Sequence, residues 1–212
     1  MILPAAYRPV PRTESRQGPF VVLEGVSGIG KSTLTALLAH RMNATSLHTL
    51  ADPHTGWSPE ANEQLRSLPQ FAFYLSGLLH ASDLVRQAVT VGPVVADRYA
   101  SSVAACHAAV HGLDPAEVGV LIDPFRPYLI VPDATFYLTC SEATLRSRMT
   151  GKLDIKQDDT DLFDVADRYK QLLENFEQVA TSDSTAVILP TDDQSPDQLA
   201  DTIAAHLEEA RA

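Results

Sequence analysis

Short runs of uninterrupted apolar residues alternate along the chain with longer stretches of helical period. "FVVLEG" (20–25), "GPVVAD" (92–97), "DATFYLTC" (133–140) and "TAVILP" (185–190) are short, apolar and bounded by turn or polar residues, which is the pattern of strands covered on both faces. "TSLHTL" (45–50) is a weaker fifth candidate. "KSTLTALLAHRM" (31–42) carries apolar residues at helical spacing. Helical period also runs from Ser58-Pro59, read as an N-cap followed by proline at the first helical position, to about Val89, with an interruption near Pro69. Further helices are predicted over Tyr99–His111, Asp114–Ile122, "SEATLRSRM" (141–149) and Asp161–Ala180, with a last one behind the Ser195-Pro196 cap. "TGKLDIKQDDTD" (150–161) is polar and aperiodic and reads as a loop or lid; its acidic run Asp158–Asp161 reads as a solvated helix start.

Strands separated by helices predict an α/β fold, a five-stranded parallel sheet with helices on both faces. No repeat or long linker divides the chain. Residues 20–212 therefore read as a single domain with a short lid at about 150–160, and residues 1–19 as a flexible N-terminal extension. Ligands of such sheets bind beyond the carboxyl ends of the strands, where the residues after Glu24 and Asp97 fall.

Composition narrows the ligand. The 212 residues suit one domain, and 45% hydrophobic residues supply a core. A formal net charge of -11 argues against a nucleic-acid polymer as partner, because phosphate contacts need clustered Lys and Arg. An anionic ligand must instead be held by a local positive site. No apolar run approaches the length of a membrane span, and residues 1–19 lack the basic start and apolar centre of a signal peptide. A soluble cytoplasmic protein is expected. Cys106 and Cys140 lie outside metal or redox spacings and read as buried free thiols. The histidines, such as His54, His80 and His107, show no ligand spacing.

The chemistry begins at Gly25-Val-Ser-Gly-Ile-Gly30-Lys31-Ser32, which fits G-x-x-x-x-G-K-[ST] at every fixed position, between a strand and a helix. In a phosphate-binding loop of this kind successive backbone N–H groups converge on phosphate oxygens, and a Cβ would block the approach. The helix behind adds the positive end of its dipole. Lys31 places a cation on the outer phosphates, and the Ser32 hydroxyl suits Mg²⁺. Gly25, Ser27, Gly28, Ile29, Gly30, Lys31, Ser32 and Thr33 are thus the residues expected around a nucleoside triphosphate.

Three blocks extend the pattern. "VVLEGVSGIGKST", "VVADRYASSVAA" and "PDATFYLTCSEATLRSRM" together resemble the thymidylate kinase family, within the wider group of nucleotide and deoxynucleoside kinases. The resemblance runs from about Phe20 to the C-terminus. It implies a lid, transfer of the γ-phosphoryl of ATP with Mg²⁺, a small-molecule acceptor and a homodimer formed through helices. It places Asp97 beside the metal with Ser32, and Arg98 on an acceptor or transferring phosphate; a structural ion pair between Asp97 and Arg98 is the plainer alternative. Tyr99 would reach the acceptor pocket. Arg148 would pack its planar guanidinium on the adenine, unless it is a solvated helix-end arginine.

The departures from that resemblance bear on the acceptor. Ser27 replaces a usual aspartate, Ala51-Asp52-Pro53 stands where "REP" is usual, and Gly77 stands where an arginine is usual. The lid carries Lys152 and Lys156 in place of arginines, so it offers point charges without a bidentate fork. Several cations are missing where an acceptor phosphate would sit. "DPHTGW" (52–57) also resembles the "EPxxxW" element of deoxynucleoside kinases, with Asp52 as base for a sugar hydroxyl and Trp57 lining the pocket. The plainer reading makes Asp52 a turn residue and Trp57 core. In "FAFYL" (71–75), Tyr74 could stack on a base, although such runs are more often core. Three readings remain: a nucleoside monophosphate kinase, with Lys152 and Arg98 on the acceptor; a kinase for a hydroxyl of a nucleoside or nucleoside-like antibiotic; and a non-catalytic nucleotide-binding switch.

Overall fold

β1 (Phe20–Glu24) is buried along its whole length, and its alternating side chains serve two cores. Val21 and Leu23 pack with Leu34, Leu38, Phe136 and Ile203 on one face of the sheet. Phe20 and Val22 pack with Phe71, Leu78, Val85 and Val118 on the other. This two-sided burial is why the strand reads as an unbroken apolar run. The computed structural model describes residues 16–150, 162–165 and 167–210. Most of the expected lid, with Lys152, Lys156 and Asp158–Asp161, therefore lies outside the described residues, as do residues 1–15 of the expected extension.

The other strands are β2 (Thr45–His48), β3 (Val94–Asp97), β4 (Ala134–Thr139) and β5 (Ala186–Pro190). All pairings are parallel, in the order β2-β3-β1-β4-β5. From β1 the chain crosses to β2 on one side and from β3 it crosses to β4 on the other, so a crevice opens at the carboxyl ends of β1 and β3. The helices are α1 (Lys31–Met42), α2 (His54–Gln64), α3 (Ser67–Ala88), α4 (Ala100–His111), α5 (Pro115–Ile122), α6 (Glu142–Thr150), α7 (Arg168–Ser182) and α8 (Pro196–Glu209). Asp114 and Ser195 each close a capping box. Among the described residues no helix is long and apolar enough to cross a membrane.

Four expectations are corrected. The helix expected from Ser58 begins at His54, and Pro59 lies inside α2. The proline leaves the Thr55 carbonyl without its i+4 amide donor, and the Ser58 hydroxyl donates to that carbonyl at 3.0 Å instead. The interruption expected near Pro69 falls at Leu65 and Arg66, both extended, whereas the helix expected over Asp161–Ala180 begins at Arg168, after Asp167 with a left-handed φ of 58°. Pro69 sits in the first turn of α3, where an N–H would have no helical partner anyway. Cys106 and Cys140 are free, as expected, but only half-buried.

Candidate active site

The loop between β1 and α1 runs from Gly25 to Gly30. Gly25 has φ 135° and Gly28 φ 79°, which L side chains rarely adopt. A Cβ on Gly25 would lie 2.8 Å from the Leu138 carbonyl oxygen, and one on Gly28 2.1 Å from Met149 Sδ. The first clash is with backbone and has no cheap relief. Gly25→Ala is expected to destabilise by about 2 kcal/mol, a loss of roughly 4–8 °C in Tm. Thermal denaturation of the variant measures this, and an unchanged Tm would show that the loop is not held at that backbone angle.

Lys31 is the first residue of α1 and is buried. Its Nζ donates to the carbonyls of Gly25 at 2.9 Å and Val26 at 2.7 Å, so the ammonium lies across the loop. Burial, and then the neighbouring Arg98, push its pKa down to about 7, against the pull of Asp97 and Glu24. Beside it the Ser32 hydroxyl donates to Asp97 Oδ2 at 2.5 Å. Asp97 Oδ1 is buried and has no hydrogen-bond partner. A hydroxyl and a carboxylate with a spare oxygen are hard-oxygen donors that suit Mg²⁺, which takes few protein ligands and completes its shell with phosphates and water. Ile29 is buried in the loop, whereas Gly30 and Thr33 are exposed at the head of α1.

Arg98 has φ 72°, and that left-handed turn separates its side chain from its neighbours'. Asp97 turns to Ser32, while Arg98 turns to the loop. Its Nη1 donates to Ser102 Oγ at 3.1 Å and to the Gly25 carbonyl at 3.3 Å, and its Nη2 to Ser27 Oγ at 3.2 Å. The serine at position 27 is therefore an acceptor for the guanidinium. Tyr99, the next residue, is not brought to the site. Its ring is buried edge-on against Phe20, with centroids 5.3 Å apart, and burial pushes its hydroxyl up to about 12. The turn at Arg98 sends this side chain into the core.

On the other side of the loop, Arg148 is not a solvated helix-end residue. Its Nη1 donates to the Ile29 carbonyl at 2.9 Å and to Thr191 Oγ1 at 2.8 Å, and its Nη2 to the Thr191 carbonyl at 2.7 Å. The guanidinium plane is thus fixed between the phosphate loop and the turn after β5. Sequence reading missed Thr191, which is buried and carries no motif signal. It also missed Glu24 and Ser102, which sit inside the recognised blocks but match no catalytic pattern.

On the β2 side, register places His48 opposite Asp97, and Thr49 N–H donates to the Asp97 carbonyl at 3.4 Å. The segment Ala51–Pro53 therefore leaves the sheet at the carboxyl edge beside Asp97. Asp52 is exposed, and its carbonyl accepts from His80 Nε2 at 3.2 Å. Trp57 is 59% exposed, which rules out the core reading. His54 joins the segment to α3, with its Nε2 3.0 Å from Ser76 Oγ and its ring centroid 5.6 Å from that of Phe73. A Cβ on Gly77 would lie 2.6 Å from Leu50 Cδ2, so the Leu50 side chain packs directly over this glycine. Tyr74 is half-buried, and its hydroxyl donates to Asn62 Oδ1 at 2.6 Å, tying α3 to α2.

Comparison with known proteins bears on this geometry. The thymidylate kinase family model matches residues 23–203. A probable thymidylate kinase of Natronomonas pharaonis is 29% identical over 170 residues, covering 75% of this chain and 82% of that one. The solved structure of Candida albicans thymidylate kinase superposes with a TM-score of 0.74 at 16% identity, over 93% of this chain and 94% of that one. Deoxyadenosine kinase from M. mycoides superposes with a TM-score of 0.65 at 17% identity, over 90% of this chain and 99% of that one. The likeness to these two structures is in fold, a five-stranded parallel sheet flanked by helices. With a strand, loop and helix of this geometry inside a match of this length, the chain belongs to the thymidylate kinase family and is a kinase.

Proposed function

We propose that the chain transfers the γ-phosphoryl group of ATP to a nucleoside monophosphate of thymidylate type, in the presence of Mg²⁺. The observation that carries this reading is the convergence of Lys31, the Ser32–Asp97 pair and Arg98 on one loop. The loop amides and Lys31 bind the triphosphate. Ser32 and Asp97 would hold the metal, which neutralises charge on the outer phosphates when bound. Arg98 lies where a guanidinium can meet the phosphoryl group in transit, and Arg148 presents a fixed plane for the adenine. Catalysis then rests on positioning and electrostatics. By the same resemblance we read Lys152 as an acceptor-side cation and the chain as a homodimer.

A second reading, transfer to a nucleoside hydroxyl, is favoured by one feature. Gly77, with Leu50 packed over it, stands where the resemblance expects a phosphate-binding arginine, while Asp52 and Trp57 are exposed. One screen separates the two. Phosphorylated products are identified by chromatography after incubation with ATP and either nucleosides or nucleoside monophosphates. Product from monophosphates alone supports the first reading. Asp52→Asn is then expected to leave kcat within about twofold, because an ionised phosphate needs no base. With a hydroxyl acceptor the same variant would lose about a hundredfold or more, and that outcome would replace the first reading by the second.

A further inference from the structure

Glu24 ends β1 with its side chain fully buried, at 0% exposure. Burying a carboxylate is costly unless hydrogen bonds replace water, and here they do. Oε1 accepts the backbone N–H of Tyr99 at 2.8 Å and of Ser102 at 3.1 Å, and Oε2 accepts the Ser102 hydroxyl in a short bond. These are the amides of the N-cap residue of α4, Tyr99, and of its third helical residue, Ser102, and the Tyr99 side chain offers no capping oxygen. The cap therefore comes from the neighbouring strand. A serine or aspartate at the cap position would satisfy the Ser102 amide more simply, so the long-range solution calls for a reason.

Arg98 supplies it. Its N–H donates to the Leu23 carbonyl at 3.0 Å, and the next N–H, that of Tyr99, goes to Glu24. The left-handed residue is thus gripped on both sides by the end of β1. The side chain is gripped as well. Ser102 has one hydroxyl proton and gives it to Glu24, which leaves a lone pair facing Arg98 Nη1 at 3.1 Å. We propose that Glu24 is a positioning residue for phosphoryl transfer: through Ser102 and the Tyr99 amide, its carboxylate aims the Arg98 guanidinium at the phosphate loop. Burial raises the Glu24 pKa, while the Ser102 hydrogen bond and the charge of Arg98 oppose that rise. The inference rests on the place given to Arg98 in the proposed site.

The test is a double-mutant cycle read in kcat and in KM for ATP. Glu24→Gln keeps the shape but turns one carboxylate oxygen into a donor, so either both backbone amides or the Ser102 hydroxyl lose their acceptor. Glu24→Gln and Ser102→Ala are each expected to lower kcat by about ten- to a hundredfold, the cost of a misplaced catalytic group. KM for ATP should stay within about threefold, since the loop itself is untouched. Ser102→Thr keeps the hydroxyl and should recover most of kcat. In an Arg98→Ala background Glu24→Gln should cost less than about twofold more, because nothing remains to be aimed. An equal loss of kcat in both backgrounds, or full kcat for Ser102→Ala, overturns the inference while leaving the site intact. Full activity for Arg98→Ala alone overturns the site and the inference together. If Glu24→Gln does not fold, Ser102→Ala and Ser102→Thr in both backgrounds decide the same question.

Discussion

Lys31→Ala is expected to lower kcat/KM for ATP by about a hundredfold to a thousandfold, the scale of removing one preorganised charge-stabilising donor. The structure argues for a loss that no neighbour makes good. The Nζ is buried against the Gly25 and Val26 carbonyls, and the loop presents no second lysine there. The same burial adds a pH signature. With a pKa of about 7 in the nucleotide-free protein, Lys31 is largely protonated below pH 7 and largely neutral well above it. A bound triphosphate favours the ammonium, so binding above pH 7 takes up a proton. Affinity for a non-hydrolysable ATP analogue is then expected to fall as pH rises from 7 to 9, by up to about tenfold per pH unit. Titration calorimetry in buffers of differing ionisation enthalpy reads the proton uptake directly, and Lys31→Ala should abolish it. Normal turnover in Lys31→Ala would remove the loop from the mechanism; a flat affinity profile would show that Lys31 stays charged throughout.

Arg98→Ala is expected to lower kcat by about a thousandfold, in the range found for arginines that stabilise a transferring phosphoryl group. KM for ATP should change much less, because in the proposed site the guanidinium is held by loop groups and strengthens its hold on the phosphoryl group in transit. Arg98→Lys should recover little. The guanidinium fork reaches Ser102 and the Gly25 carbonyl from one nitrogen and Ser27 from the other. An ammonium has neither that span nor that plane. Steady-state kinetics with the acceptor found in the screen, together with circular dichroism to verify folding, measure the effect. Retained kcat in a folded Arg98→Ala protein would place the residue outside the site.

The loop was legible because its chemistry is local: glycines, lysine and serine are consecutive, and the flanking apolar run and helical period announce the strand and helix that present them. The five strands were legible for the same reason, including the weak β2. The start of α2 was not. Pro59 resembled a first helical residue, and only the side chain of Ser58, reaching back to Thr55, allows the proline to sit inside the helix. Trp57 and Tyr99 were also undecidable from their neighbours, since burial depends on which side of the sheet a side chain leaves.

The sequence by itself determined the phosphate cradle and the alternation of strands and helices, because each is written in neighbouring residues and their backbone preferences. The fold decided what meets across distance. Parallel register of β1 with β3 brings Ser32 to Asp97, 65 residues apart, and Glu24 to Ser102, 78 apart. The left-handed turn at Arg98 sends its guanidinium to the loop and Tyr99 into the core. A hydrogen bond is made or lost within a few tenths of an ångström, and such distances are fixed by strand order, register and side-chain direction, which no local run of residues specifies.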